Sequence, residues 1–332
     1  SSAASDVYKR QMIHISQDGT GDFKTITDAL NSLPKNNTTE QILYIHKGIY
    51  EEQITVSVPF VTFEGEDADN TILSYGLYAR MLMEDGEKRG TFRTYSSLID
   101  THDFTARNLT FENSAGKGTD VGQALALYAD GDRLVFENCR LLGNQDTLFT
   151  GPLPEKEMQV NGFIGPKQHD PRINGRQYYK NCYIEGDIDF IFGSATAYFE
   201  NCTFFSKYTG KEISSYVTAA STPKGQKYGY VMDHCRFESN CPPDNAYLGR
   251  PWREYAKTVL IHCFMDDHIC KEGWHDWGKE AAHEHSFYAE YKSYGPGAVM
   301  EKRPDWIHHL KNEDLPTYTK EAVLGGSDHW RP

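Results

Sequence analysis

Phe136-Glu-Asn-Cys139 leads to Gln145-Asp-Thr-Leu148, and Tyr179-Lys-Asn-Cys182 leads to Asp187-Ile-Asp-Phe190. Asp146 lies eight residues beyond Asn138, and Asp189 lies eight residues beyond Asn181. If each Asn-Cys marks the same point on a repeating unit, the two aspartates occupy equivalent places on successive units. In stacked parallel strands such places are neighbours, about 4.8 Å apart. Two carboxyl groups held that close do not both ionise readily, so one pKa rises relative to the other. A pair split in this way supplies a base or nucleophile and a proton donor near neutral pH.

Working outward, the same unit recurs at Phe104–Glu112, Arg133–Leu142, Gln177–Ile184, Ala197–Phe205, Gly229–Phe237 and Lys257–Met265. Asn113, Asn138, Asn181, Asn201, His234 and His262 mark comparable points, at separations of 25, 43, 20, 33 and 28 residues. A minimum period near 20 with variable insertions describes a coil whose loops are elaborated on some turns. Leucine-rich repeats lack a match because L-x-x-L-x-L is missing, and no propeller signature is present. Short strands and laddered side chains point instead to a parallel β-helix, with the asparagines expected to form an internal hydrogen-bonded ladder at its turns.

Before the repeats, Ile13 to Phe23 reads as a strand running into a Gly-rich turn. Ile26, Ala29, Leu30 and Leu33 then fall at helical spacing until Pro34. This short helix is expected to cap the open end of the stack, which would otherwise expose an edge. Strands follow at Ile42–His46, Gln53–Val56, Phe60–Phe63, Thr71–Leu73 and Ser97–Ile99. Residues 150–176, rich in Gly, Pro and charge, read as an excursion in the form of a hairpin or lid, starting four residues after Asp146 and so bordering a cleft. After Met265 the repeat fades, Phe287–Lys292 reads as a last strand, and the irregular tail from Arg303 is expected to close the far end. Residues 1–11 read as a tag or processing remnant and 12–332 as a single domain.

Composition narrows the function. The chain has 34 Lys and Arg against 47 Asp and Glu, a net charge of −13, with no basic stripe. Nucleic acid is therefore excluded as an expected partner. No apolar run approaches the ~18 residues of a membrane span, so no membrane association is expected. The seven cysteines cannot all pair within the chain, and no C-x-x-C occurs. Several of them share the Asn-Cys or His-Cys context, which suggests a ladder of buried thiols. Their odd number and the absence of a leader sequence lean toward a cytoplasmic location, with a mature secreted protein as the alternative. A monomer is expected.

The aspartates have suitable neighbours in the sequence. Gln123 and Gln145 carry amides able to donate to a developing oxyanion. Arg250, in Leu248-Gly-Arg-Pro-Trp252, offers a planar fork that would keep one carboxylate ionised. Gln145-Asp-Thr-Leu148, Asp189-Phe-Ile-Phe-Gly193 and Leu248-Gly-Arg-Pro-Trp252 together resemble the three catalytic segments of the pectin methylesterases. Gly48-Ile-Tyr-Glu-Glu52, Gln123-Ala-Leu-Ala-Leu127, Asp18-Gly-Thr-Gly-Asp22 and Tyr291-Lys-Ser-Tyr-Gly295 are similar to further segments of that family, and the resemblance runs from about residue 15 to 310.

The resemblance implies a right-handed parallel β-helix and hydrolysis of galacturonate methyl esters in pectin or methylated oligogalacturonides, with no metal or cofactor. It makes Asp189 the nucleophile and Asp146 the general acid and base. Arg250 would hold the Asp189 pKa down, and Gln123 and Gln145 would bind the oxyanion. Phe149, Phe192, Trp252 and Trp274 are expected to form platforms for sugar rings and the ester methyl. The 150–176 excursion departs from the family's shorter link between its aspartates. Tyr128 stands where the family carries a basic residue.

A β-helix glycoside hydrolase or lyase acting on polygalacturonate is the nearest rival. Inverting glycosidases hold their carboxyls ~6.5–9.5 Å apart, and a lyase wants a dense acidic cluster for Ca²⁺ that this sequence lacks. A catalytically silent carbohydrate-binding solenoid is the reading from another class. A serine hydrolase is disfavoured because no G-x-S-x-G is present. His283-Glu-His285 reads as a solvated surface segment rather than a metal site. Asn36, Asn108 and Asn201 match the glycosylation pattern, the last two inside expected strands.

Overall fold

The computed structural model describes residues 12–332, so the reading of residues 1–11 as a remnant lies outside the described residues. Among these, the strands form three parallel sheets of eleven, seven and eight strands. In each sheet the neighbours along the stack are successive turns of one coil, the right-handed parallel β-helix expected from the repeat.

Each repeated segment is two strands meeting at a bend. Phe104–Arg107 and Thr110–Asn113 flank Asn108, and Leu134–Glu137 and Arg140–Leu142 flank Asn138. The bend residue takes a left-handed backbone on turn after turn: Asn108 (φ 56°), Asn138 (51°), Asn181 (53°), Asn201 (51°), His234 (53°), His262 (50°) and Lys292 (48°). Asparagine tolerates this region better than most residues, which explains its recurrence.

The asparagine ladder differs from expectation in two ways. Its first member is Asn108, not Asn113, which is buried and donates to the carbonyls of Leu77, Thr94 and Leu125. The ladder also faces outward, with Asn138, Asn181 and Asn201 exposed. It is hydrogen-bonded in pairs: Asn138 donates to Asn108 and Asn201 to Asn181, each at 2.6 Å.

One position further on, Cys139, Cys182, Cys202, Cys235 and Cys263 point inward as free, buried thiols. Each thiol donates to a carbonyl of the preceding turn, as Cys182 does to Phe136 at 3.3 Å. Phe136, Tyr179 and Phe199 stack through the core at 4.9 and 4.6 Å between ring centres. Both ladders follow from register, since every turn pairs residue for residue with the next.

The helix Ile26–Asn31 buries Ile26, Ala29 and Leu30 over the first turns. Its N-terminus is held by the Thr25 hydroxyl, which accepts from the Asp28 amide, and by the Glu52 carboxylate, which accepts from the amides of Ile26 (3.0 Å) and Thr27 (2.9 Å). The Gly48–Glu52 segment thus ties the cap to the coil, a favourable place for a carboxylate.

At the far end the inward stack finishes in Glu290, paired with Arg303 at 2.8 Å in complete burial. The first part of the tail closes this end as expected: His308–His309 pair with the strand Phe287–Tyr291, and Trp306 and Ile307 pack on the core. Beyond Leu310 it turns back over the outer face of the eleven-stranded sheet, where Val323 and Leu324 pack with Tyr178, Tyr198 and Val231. The apolar residues on that outer face would otherwise be exposed.

The excursion is neither a hairpin nor a free flap: it contains no strand between Thr150 and Arg176. Phe163 and Leu153 pack with Phe92, Tyr128 and Phe192, and Lys167 reaches Asp100 and Asp130 at the ends of two strands of the seven-stranded sheet. The result is a fixed wall beside that sheet.

Candidate active site

Leu148 pairs with Ile191 on neighbouring turns of the seven-stranded sheet. Two residues before each of these strands stand Asp146 and Asp189, joined through the Asp146 amide, which donates to the Ile188 carbonyl at 3.0 Å. Both aspartates have left-handed backbones, φ 63° and 51°, a conformation a non-glycine residue adopts only when its surroundings enforce it. Here the enforcement is the same tight bend on two adjacent turns. It brings both carboxyls to one cleft of about 300 Å³, with Asp146 7% and Asp189 8% exposed. Gly193, at φ 131°, ends the second motif, where a Cβ would lie 2.0 Å from the Thr150 carbonyl oxygen.

The two carboxyls have different partners. Arg250 follows directly on the strand Ala246–Gly249 and is fixed by its amide donating to Thr218 at 3.0 Å. Its Nε and Nη2 donate to the two oxygens of Asp189 at 2.8 and 2.7 Å. The guanidinium is itself sandwiched between rings, 3.9 Å from Tyr216 and 3.6 Å from Trp277, an arrangement that holds a cation in place while it is shielded from water. The Asp146 carboxyl has no hydrogen-bond partner among the described residues.

Burial pushes Asp146 well above the usual carboxylate range, and the charges of Asp189 and Asp187 push it further, with Arg250 opposing. Burial also raises Asp189, and the Arg250 hydrogen bonds and charge counteract it. The expectation that Arg250 holds Asp189 below its ordinary value is therefore corrected. Desolvation outweighs the ion pair, and what survives is a difference between the two groups. Of the two carboxyls, Asp146 is pushed up further and Asp189 is the one a cation opposes by direct hydrogen bonds.

Gln123 and Gln145 line the same cleft. Their backbone carbonyls are engaged by Ala79 and Ala124, while neither side-chain amide has a protein partner among the described residues, which leaves their N–H donors unused. Phe192 and Trp252 also line the cleft, their ring centres 5.5 Å apart.

Phe149 and Trp274 do not stand where a sugar platform needs them. Phe149 is fully buried beneath Phe192 and packs edge-on to Tyr128. Trp274 is 2% exposed, stacks on Tyr288 at 4.3 Å and donates to the buried Glu290 at 3.2 Å. It pairs in a bridge with Gly249, which turns it toward the core. Trp274→Ala is accordingly expected to destabilise the protein by about 3–5 kcal/mol, as removal of a large core aromatic does. Thermal unfolding checks this, and KM for substrate should move less than about twofold.

Trp277, a candidate platform in the sequence, lines the cleft and contributes the second ring against Arg250. Other cleft residues escape the sequence reading: Phe92 stacks over Trp252 at 6.5 Å, and Met158 and Phe163 of the excursion line the same cleft. Among the described residues no group of three or more His, Cys, Asp or Glu is placed to hold a metal ion, and His283 and His285 instead pair with Asp276 and Glu254.

Comparison with known proteins gives a consistent result. The Pectinesterase family model matches residues 12–155 and 172–327, stepping over the middle of the excursion. The chain is 35% identical to Pectinesterase 31 of Arabidopsis thaliana over 321 residues, 95% of this chain and 92% of that one. It superposes on the pectin methylesterase from carrot with a TM-score of 0.79 at 27% identity, covering 95% and 93% of the two chains. Against a pectin methylesterase crystallised with a hexasaccharide the TM-score is 0.77 at 29% identity, covering 96% and 98%.

Proposed function

The chain belongs to the pectinesterase family, and from that membership we propose that its aspartate pair carries out the demethylation of pectin by covalent catalysis. The activity is that of a carboxylic ester hydrolase releasing methanol from methylated galacturonate. The observation that carries the mechanism is the asymmetry of the pair: neighbouring turns present two buried carboxyls, and one alone is gripped on both oxygens by a guanidinium.

An Asp189 oxygen attacks the ester carbonyl carbon, and the carbonyl electrons move onto its oxygen. The Gln123 and Gln145 amides donate to that oxyanion, a role their unpartnered N–H groups suit. As the tetrahedral species collapses, Asp146 gives its proton to the departing methoxy oxygen and methanol leaves. An acyl group now joins galacturonate to Asp189 as an anhydride. Asp146, ionised, takes a proton from water, whose oxygen attacks the acyl carbon. Collapse returns Asp189 as carboxylate beside Arg250 and leaves Asp146 protonated for the next cycle.

Activity on methylated pectin is tested by measuring methanol against reducing ends and unsaturated product. Methanol alone supports the esterase, while reducing ends or unsaturated product would indicate the glycosidase or the lyase. Gln145→Ala and Gln123→Ala are each expected to lower kcat by about 10²–10³-fold, the scale of one lost oxyanion donor, with KM changed far less. Steady-state methanol release measures both.

A further inference from the structure

Gln145 lines the catalytic cleft on one side and, on the other, a recess of about 90 Å³ that it shares with Gly118, Asp187 and Ile188. Asp187 stands two residues before the nucleophile and is 2% exposed, yet it takes no part in the bond-making steps. Its carboxyl accepts from the Ile188 amide at 2.6 Å. It also faces Gly118, where a Cβ would lie 3.0 and 3.1 Å from its two oxygens and 2.7 Å from the Gln145 Cβ. The Ile188 carbonyl in turn accepts from the Asp146 amide at 3.0 Å. Ile188 therefore has its amide on the Asp187 carboxyl and its carbonyl on the general acid.

No cation lies in ion-pair distance of Asp187 among the described residues. Lys207 is bound to Glu185 at 3.0 Å and to the Gly143 carbonyl at 3.2 Å. Arg80 and Lys211 also line the recess, but Arg80 donates to the carbonyls of Thr119 and Asp120. Burial raises Asp187, while the Ile188 and Gly118 amides and the charge of Lys207 favour its ionised form. The charged groups acting on Asp146 are Asp189 and Asp187, which add to the effect of burial, and Arg250, which opposes them. Arg250 is committed to Asp189 by two hydrogen bonds, and Lys279 also acts on Asp189. Asp187 thus presents the general acid with a negative charge that no cation pairs.

We propose that Asp187 is a positioning residue for the general acid: its buried carboxylate fixes the Ile188 bend on which Asp146 hangs, and its standing negative charge retains the Asp146 proton until methanol departs. The role rests on the two-aspartate esterase reading. Three carboxyls then ionise in sequence. Asp189 pushes Asp187 up, so Asp189 loses its proton first, Asp187 next, and Asp146, which feels both charges, last. The acid limb of activity, set by Asp189, is fixed before Asp187 carries charge. The alkaline limb, set by Asp146, depends on it.

The test is the pH dependence of kcat/KM for methanol release from fully methylated hexagalacturonate by wild type, Asp187→Asn and Asp187→Thr. Both substitutions remove the charge and keep an acceptor for the Ile188 amide. In each, the alkaline limb is expected to move to lower pH by about one unit, the scale of one nearby charge, with the acid limb in place. An activated aryl ester of galacturonate, whose leaving group needs no acid, gives a second readout: the pH dependence of its acylation burst should show no such displacement. An alkaline limb that stays in place in either folded variant, or a loss of rate uniform across pH, would overturn the proposal and leave Asp187 a structural acceptor. Wild-type protein that releases no methanol at any pH would instead overturn the esterase reading, and this role with it.

Discussion

Asp189→Asn is expected to lower kcat for methanol release on the order of 10⁴–10⁶-fold, the scale of removing a covalent nucleophile. The amide matches the carboxylate in shape and still accepts one Arg250 hydrogen bond, so the fold and the cleft survive. What disappears is the anionic oxygen that attacks the ester. Asp146→Asn should be inactive on methyl esters too, but for a different reason, and an activated aryl ester of galacturonate separates the two. An aryl oxide leaves without help from an acid, so Asp146→Asn should release one equivalent in a burst and then stall, because no base activates the water that clears Asp189. Asp189→Asn should show no burst. A burst in Asp189→Asn, or turnover within tenfold of wild type, would remove Asp189 from the nucleophile's role.

The adjacency underlying that experiment was legible because a β-helix translates sequence spacing into distance. Equal offsets from Asn138 to Asp146 and from Asn181 to Asp189 meant equal positions on neighbouring turns, and a long insertion between them could not disturb a register held by the strands on either side. Asn113 marks where spacing and residue type part company. The bend residue lies four positions after Phe104, Leu134 and Gln177, residues that share one register. This points to Asn108, but Asn113 stands in Phe111-Glu-Asn113, the same context as Phe136-Glu-Asn138, so residue type alone favours the wrong asparagine.

Away from the ladders, legibility fell sharply. Trp274 and Trp277 sit three residues apart in a loop with no alternation to say which faces inward, and the bridge to Gly249 that decides it is a tertiary contact. Phe92, in the short 3₁₀ helix Thr91–Arg93, and Phe163, in the excursion, reach the cleft from different turns, drawn there by packing on Phe149 and Phe192 and by the hold of Lys167 on Asp100 and Asp130. No local pattern encodes that. Arg250 was identified from its motif, yet its two flanking rings and the net upward pull of burial on Asp189 emerge only with coordinates.

Arg250→Gln is expected to cost about 10²–10⁴-fold in kcat/KM at neutral pH, as two charge-assisted hydrogen bonds to the nucleophile are replaced by at most one neutral contact. The pH profile carries the sharper signature. Catalysis needs Asp189 ionised and Asp146 protonated, so activity falls at low pH as Asp189 takes up a proton and at high pH as Asp146 loses one. Arg250 lowers both carboxyls, and it lowers Asp189 more because it hydrogen-bonds only there. Without it both limbs move to higher pH, the acid limb further, and the active window narrows.

Stability should follow the same linkage. A buried Asp189 whose folded pKa rises further above its unfolded value binds a proton more tightly in the folded state, so stability is lost as pH rises through that range. Arg250→Gln should therefore be destabilised by about 3–5 kcal/mol at high pH, as expected for an uncompensated buried charge, and recover as acid neutralises Asp189. Arg250→Lys, a point charge that cannot grip both oxygens, should fall between the two. An acid limb that stays in place while the rate alone drops would reduce Arg250 to a spacer between Tyr216 and Trp277, and the charge on the nucleophile would need another source.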